Sequence, residues 1–186
     1  MVRQIVIILL CIGIFSSCAP TRRLRDGQKI MVKKYRNIDK FDPSIYEEID
    51  TNYFYQKVGT CYADRKVRNI KDFKKKESRL RIKFYPGGYL RFLAFSGMPE
   101  GPDPEDSGER GVIYKKGDKI KIDTQSATDV GSLYKQTFEV IVDGDKIYLV
   151  ERLFGMSWGW SSNPLCFVYE KAEKVPEDWK KYKPDW

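Results

Sequence analysis

Hydrophobic and polar positions alternate most clearly in residues 80–85, where Leu, Ile and Phe at even positions are separated by Arg, Lys and Tyr at odd ones. A second, mainly apolar run, residues 89–95, follows the turn sequence Pro86-Gly87-Gly88. Period-two alternation is typical of β-strands. Pro followed by Gly fits a tight turn, because Pro fixes φ and Gly accepts a positive φ. The pattern therefore predicts a β-hairpin over residues 80–95.

Other segments rich in β-branched and aromatic residues predict further strands. They cover residues 53–58, 111–114, 119–123, 133–142, 147–153 and 166–170. Asp143-Gly144 predicts a second tight hairpin turn. With about eight strands, mostly short turns and no long amphipathic helix, the sequence predicts an all-β fold. The expected architecture is an antiparallel up-and-down meander that closes into a barrel, because closure removes exposed sheet edges.

Three segments lack this alternation. Residues 42–48 predict a short N-terminal helix, with Asp42 as its cap and Pro43 in its first turn. The charged residues 65–78 predict a long exposed loop. Residues 97–108 contain three prolines and four acidic residues, and they predict a loop because Pro cannot donate to a sheet ladder.

The first 17 residues follow a third pattern, with Arg3 near the start, an apolar run over residues 5–15 and Ser16-Ser17 at the end. A basic start, an apolar centre and small residues are typical of a secretory signal peptide. The apolar run is about half of the ~20 residues that a membrane-spanning helix needs. We therefore expect residues 1–17 to be removed rather than to span a membrane.

Ser16, Ser17 and Cys18 resemble the lipobox of bacterial lipoprotein precursors, in which small residues precede the cysteine that becomes lipidated. The resemblance implies cleavage after Ser17. It also implies a diacylglyceryl thioether and an acylated amino group on Cys18, so that the chain is held to a membrane by lipid.

The residues after Cys18 bear on location. In lipoproteins of this kind, Asp directly after the cysteine often signals retention at the inner membrane, and this chain has Ala19 there. The resemblance therefore implies the outer membrane. Arginines rather than an acidic cluster follow, which favours a periplasm-facing protein over a surface-exposed one. We expect residues 18–40 to form a solvated, lipidated tether, because they show little periodicity.

Composition narrows the chemistry. The 186-residue chain has a formal net charge of +8, which favours anionic partners such as lipid headgroups or acidic glycans. Nucleic acid is not an expected partner of an exported protein. The chain has no histidine, which excludes a Ser-His-Asp triad, a Cys-His pair and any His-ligated metal. We expect neither a catalytic residue, nor a metal, nor a cofactor.

Four cysteines are present, and their positions separate their roles. Cys11 leaves with the signal peptide, and Cys18 is the predicted lipid site. Cys61 and Cys166 remain, and a remaining pair in an oxidising compartment favours a disulfide. Two buried cysteines that never meet are the alternative.

The order of parts resembles lipocalin-like lipoproteins of bacterial envelopes: an anchor, a tether, a short helix and a meander with hairpin turns at residues 84–88 and 142–146. The resemblance implies a barrel over residues 41–174 with a cavity for a small apolar ligand, followed by a C-terminal tail, residues 175–186. Lipocalins often tie the C-terminal region back to the barrel through a disulfide, a part that Cys61 and Cys166 can play.

Two loops offer candidate binding residues. Trp158 and Trp160 lie among glycines between the last strands, where indole rings can stack on sugars, line a barrel mouth or simply plug it. Residues 103–109 offer four carboxylates that suit a hard cation such as calcium. Their spacing matches no EF-hand, so we expect a solvated loop.

Together these features predict a non-enzymatic envelope lipoprotein that binds a small apolar or glycan ligand, or a partner protein. One alternative is an adaptor without a ligand cavity, which holds another envelope protein through a sheet edge or through Trp179, Tyr182 and Trp186 of the tail. We expect that tail to pack over one end of the barrel. Another alternative is a hydrolase with two carboxylates, which needs no histidine.

Replacing Trp158 and Trp160 together with Ala tests the binding role of the late loop. If the indoles hold a ligand, binding of ligand or glycan is lost while the circular dichroism spectrum stays unchanged, because loop side chains add little to the sheet. Unchanged binding would contradict the assignment.

Overall fold

The computed structural model describes residues 21–32, 34–64, 69–93, 101–127, 133–151, 163–184 and 186. The predicted signal peptide and Cys18 lie outside them. The described residues form eleven strands and two short α-helices. The strands are β1 (Thr21–Arg23), β2 (Lys29–Met31), β3 (Tyr53–Ala63), β4 (Ile70–Lys75), β5 (Arg81–Tyr85), β6 (Tyr89–Leu93), β7 (Glu109–Lys116), β8 (Lys119–Ala127), β9 (Leu133–Asp143), β10 (Lys146–Glu151) and β11 (Leu165–Lys174). The helices are α1 (Ile45–Glu48) and α2 (Glu177–Lys180).

β3 and β5 to β11 form a closed antiparallel barrel of eight strands. From β5 to β11 each strand pairs with the next one along the chain, and β11 then pairs with β3 to close the circle. The predicted meander that closes into a barrel is thereby confirmed. In the β5–β6 turn, Gly87 and Gly88 have φ angles of 79° and 85°, the left-handed conformation that the Pro-Gly-Gly sequence predicts.

The second edge of β3 is shared between two strands. Tyr55 and Gln56 pair with β5, whereas the second half of β3 pairs with β4. The prediction of a loop over residues 65–78 is therefore wrong for β4. Three lysines and Asp72 within Ile70–Lys75 hid this strand, because most of its side chains are exposed and no alternation results.

Inward-facing side chains of the barrel form one large apolar cluster. Its fully buried members include Ile82, Leu90, Ile113, Ile122, Ile147 and Leu149. They come from alternate positions of successive strands, as expected for a sheet with one face toward a core. Burial of each such side chain contributes roughly 1.5–3 kcal/mol.

α1 closes one end of the barrel. Ile45 and Ile49 are fully buried in the interior cluster, and the turns between β5 and β6, β7 and β8, and β9 and β10 lie at the same end. We call it the closed end, and the opposite end the loop end. The predicted short helix is confirmed, although it begins at Ile45 and the Asp42 carboxylate accepts a hydrogen bond from the Ser44 amide instead of capping the helix itself.

The segment before α1 packs against the outside of the barrel. β1 and β2 form a small hairpin, and Leu24, Ile30 and Tyr35 are buried. The turn of this hairpin lies beside the loop end, where the amide of Arg25 donates to the carbonyl of Glu105, and the chain then runs to α1 at the closed end. The prediction of a solvated tether is therefore wrong for the described residues up to residue 40. Its apolar residues are too sparse to form a periodic pattern.

The C-terminal tail covers a side wall of the barrel. Trp186 is only 4% exposed, its Nε1 donates to the Gly111 carbonyl at 3.0 Å, and its ring meets those of Tyr85 and Tyr89 edge to face. The expectation that the tail packs over a barrel end is wrong, because its aromatic partners are outward-facing residues of β5–β7. Within the described residues, no helix has the length and apolar character to cross a bilayer.

Replacing Trp186 with Ala should lower the free energy of unfolding by about 3 kcal/mol, because the indole fills a buried site and satisfies a backbone carbonyl. Trp179→Ala is the matched control. Trp179 is only partly buried, so its loss should cost clearly less. Urea unfolding measures both, and equal midpoints for the two variants would contradict the structural role of Trp186.

Candidate functional site

An interior cavity of about 260 Å³ lies inside the barrel, toward the loop end. Its volume exceeds the ~150 Å³ that holds a benzene molecule in an engineered protein cavity, and it lies just below the ~300–1,000 Å³ of typical ligand sites. The lining residues are Lys57, Leu80, Phe92, Glu109, Gln136, Phe138, Leu149, Phe167 and Tyr169. The space therefore suits a small, mostly apolar molecule.

The apolar part of the lining is built from aromatic pairs across the barrel. The rings of Phe92 and Tyr169 have centroids 6.3 Å apart, and those of Phe138 and Phe167 are 6.1 Å apart, both edge to face. Such pairs stabilise by about 0.5–1.5 kcal/mol beyond the area they bury. These ring contacts form part of the cavity wall.

Lys57 brings a cation into this apolar space. Its Nζ lies 4.1 Å from the centroid of the Phe167 ring, within the range of a cation–π contact. Burial lowers the pKa of the Lys57 amine, and the positive charge of Lys76 lowers it further. An anionic or hydrogen-bond-accepting group of a ligand would relieve both penalties.

Three further polar groups face the cavity. Glu109 is buried, and the Gln136 amide donates to the Glu151 carboxylate at 2.6 Å. Burial raises the pKa of the Tyr169 hydroxyl, and the negative charge of Glu109 raises it further. The hydroxyl therefore keeps its proton and serves as a hydrogen-bond donor. The cavity thus combines apolar walls with a few convergent polar groups, which is the usual make-up of a small-molecule site.

The pairing of β3 with β11 fixes where these side chains stand. Lys57 lies opposite Tyr169, and Thr60 lies opposite Phe167, with an irregularity in the register between the two pairs. One pair further along, Cys61 lies opposite Cys166, with Cα atoms 4.7 Å apart, and the two form a disulfide. The predicted pairing of these cysteines is confirmed, and it joins the two strands beside the cavity.

Sequence reasoning missed Lys57, Glu109, Gln136 and Tyr169 as site residues. For Lys57 a signal existed, since it stands two positions after Tyr55 in a predicted strand and so faces the same side. Trp158 and Trp160, which the sequence singled out, lie outside the described residues. The strand ends that flank their loop, Glu151 and Leu165, are at the loop end.

The acidic residues before β7 form ion pairs with arginines, so they do not form the solvated loop that the sequence predicted. Glu105 pairs with Arg22 and with the buried Arg110, and Asp103 and Asp106 both pair with Arg25. The predicted loop is confirmed for residues 101–108, but its predicted solvation is wrong. Among the described residues, no group of three or more potential metal ligands is close enough to hold an ion.

Three cationic side chains lie buried on the outer face of the barrel, on neighbouring strands. Lys83, Arg91 and Arg110 are directly opposite one another on β5, β6 and β7, and each is at most 3% exposed. Like charges in this arrangement are destabilising unless they are compensated. Burial and the neighbouring charge of Arg91 lower the pKa of the Lys83 amine to about 8.

The tail and the acidic loop supply the compensation. The Lys83 ammonium donates to the Trp179 carbonyl at 2.8 Å, and Arg91 donates to the Gly101 carbonyl at 2.6 Å. The Arg110 guanidinium lies 4.6 Å from the Trp186 ring centroid. This outer cluster is therefore occupied by the protein's own groups, and the interior cavity is the better candidate site.

Comparisons with protein-family models, with curated proteins and with solved structures found no match to this chain. The cavity and its lining therefore carry the functional argument.

The ion pairs of Glu105 make the stability of the fold depend on pH. Its hydrogen bond with Arg22, followed by that with Arg110, lowers its pKa to about 2. Because this folded-state pKa lies below the unfolded value, the pairing stabilises the fold at neutral pH and is lost as the pH falls toward 2. Glu105→Gln should lower the free energy of unfolding at neutral pH by on the order of 2 kcal/mol, a figure reduced for partial solvent screening.

The difference in the free energy of unfolding between Glu105→Gln and the wild type should shrink as the pH falls from about 5 to 2. Urea unfolding over that range measures it. Asp118→Asn, in an exposed turn, is the control and should change little at any pH. Parallel pH profiles for the wild type and Glu105→Gln would show that the pairing contributes no stability.

Proposed function

We propose that this chain is an envelope lipoprotein whose barrel binds a small, mainly apolar ligand with one polar group. The interior cavity is the observation that carries the proposal. Its aromatic walls would cover the apolar part of the ligand, and Lys57 together with the Tyr169 hydroxyl would donate hydrogen bonds to its polar group.

The cellular side of the proposal rests on the sequence. Ser16, Ser17 and Cys18 resemble a lipobox, and Ala19 follows the cysteine. We propose attachment through lipid on Cys18 at the outer membrane, with the barrel facing the periplasm. The Cys61–Cys166 disulfide is consistent with an oxidising compartment.

The alternatives receive less support. A hydrolase of the predicted type needs two carboxyl groups that converge on the substrate, and Glu109 is the one carboxylate among the described lining residues. An adaptor that uses its aromatic tail would need the tail free, whereas Trp186 is buried and satisfied by its own barrel.

Filling the cavity tests ligand binding. Leu80 is a partly exposed lining residue, so Leu80→Trp should fill the space without disturbing the fully buried core. Binding of N-phenyl-1-naphthylamine, a small apolar dye, should weaken at least about tenfold, which corresponds to about 1.4 kcal/mol. Fluorescence titration of the chain without residues 1–18 measures the affinity.

Ile141→Trp is the matched control, because Ile141 is also partly exposed but packs on the outer side of the barrel. It should bind the dye as the wild type does. Equal affinity in all three proteins would show that the dye, and by extension the ligand, does not use the cavity. Native mass spectrometry of the same protein would detect a co-purified ligand directly.

A further inference from the structure

β4 presents a basic surface with an exposed aromatic ring. Lys71, Lys74 and Lys75 are exposed, and Phe73 is 53% exposed although it is among the largest apolar side chains. None of the three lysines forms an ion pair with another described residue. Including Lys76 and the acids Asp72 and Glu77, residues 70–77 carry a net charge of +2 from four lysines and two acids. We call residues 70–76 the β4 patch.

The patch is held in place by the barrel. β4 pairs with the second half of β3, and the ring of Phe73 lies against Gly59, where an added Cβ would stand only 2.6 Å from it. Asp72, just before it, has a φ of 54°, which is uncommon for a residue other than Gly. The aromatic ring is therefore presented by a paired strand rather than by a free loop.

Lysines on an edge strand also serve to prevent sheet-to-sheet association. That role accounts for the charges but not for Phe73, because an exposed aromatic ring at an edge promotes association. Tyr62, which is 40% exposed, pairs with Lys71 and adds a second exposed ring. Lysines interleaved with exposed rings match a surface that meets phospholipid headgroups, where cations bind phosphate and aromatic rings sit at the apolar boundary.

The position of the β4 patch on the barrel also agrees with a surface that meets phospholipid headgroups. β4 pairs with the half of β3 that ends at the loop end, and the residues before β7 hold the turn of the β1–β2 hairpin and Arg22 of β1 at the same end. Thr21, the first described residue, follows Cys18 by three residues, a span of at most about 10 Å. A lipid on Cys18 would therefore hold the loop end close to the bilayer surface.

We propose that the β4 patch docks the loop end of the barrel onto a bilayer surface that contains anionic phospholipid. The cavity lies toward this end, so docking turns it toward the bilayer and lets an apolar ligand exchange with the membrane. The proposal goes beyond ligand binding and draws on the proposed Cys18 anchor for orientation alone. The patch itself acts without the anchor.

The test uses the chain from residue 18 onward with Cys18→Ser, which contains every described element and carries no lipid. Its binding to vesicles of phosphatidylcholine alone is compared with binding to vesicles that also contain phosphatidylglycerol. The wild type should bind the anionic vesicles and lose them at high salt. The triple variant Lys71→Glu/Lys74→Glu/Lys75→Glu should weaken this binding at least about 100-fold. Each lysine close to an anionic membrane surface contributes to the free energy of binding, and a glutamate in its place is repelled.

The control is Lys116→Glu/Lys146→Glu/Lys174→Glu, which makes the same charge change at exposed positions of the closed end. This variant should keep most of the binding. Phe73→Ala should weaken it without changing the charge. Equal losses in the two triple variants, unchanged binding in the β4 variant, or no preference of the wild type for anionic vesicles would each overturn the proposal.

A second measurement needs only single exposed substitutions. A polarity-sensitive fluorophore on Lys74→Cys should shift to shorter wavelength with anionic vesicles, whereas the same label on Lys146→Cys should not. Shifts at both positions, or at neither, would contradict the docking geometry. Dye binding in vesicle-free buffer is measured separately, so failure of ligand binding and failure of docking are distinguishable.

Discussion

The pairing of β3 with β11 is the contact on which the rest of the structure depends. It turns a meander into a closed barrel, and it decides which side chains of both strands face inward. A slip of one residue would exchange the inner and outer faces and would remove Lys57, Phe167 and Tyr169 from the cavity. The Cys61–Cys166 disulfide, one pair beyond Phe167, holds this register. Closure and the candidate site are thus consequences of one strand pair.

The barrel has a second buried layer on the outside of β5–β7. There the chain places Lys83, Arg91 and Arg110 side by side, an arrangement that is unfavourable in isolation. Trp186 and the acidic loop make it tolerable by covering the cations and supplying carbonyl, carboxylate and ring contacts. Removing one partner of such a buried set costs far more than the set contributes as a whole. The tail and the loop are therefore structural requirements of this wall rather than accessories.

The local pattern of hydrophobic and polar residues predicted the elements that have one buried and one exposed face. The β5–β6 hairpin, the meander and α1 followed from alternation, turn residues and a Pro near a helix start, all of which are short-range signals. β4 was missed because its side chains are exposed on both faces, so its sequence has no period. The packed segment of residues 21–40 was missed because its partners, such as Glu105 for Arg22, lie far away in the chain. The cavity was predicted only in outline, since Lys57, Glu109 and Tyr169 converge through register that no short window contains.

Two segments that are distant from β7 in the sequence, one before it and one after it, meet on that strand. The Tyr35 hydroxyl donates to the Arg110 carbonyl, and Trp186 Nε1 donates to the next carbonyl, that of Gly111. Each of these two hydrogen bonds joins residues 75 positions apart, and the disulfide between β3 and β11 joins residues 105 positions apart. Contacts of such sequence separation slow folding, because loop closure must precede any gain from the contact. We therefore expect the outer face of β7 to become ordered late in folding, after the barrel strands have paired and both flanking segments have closed onto it.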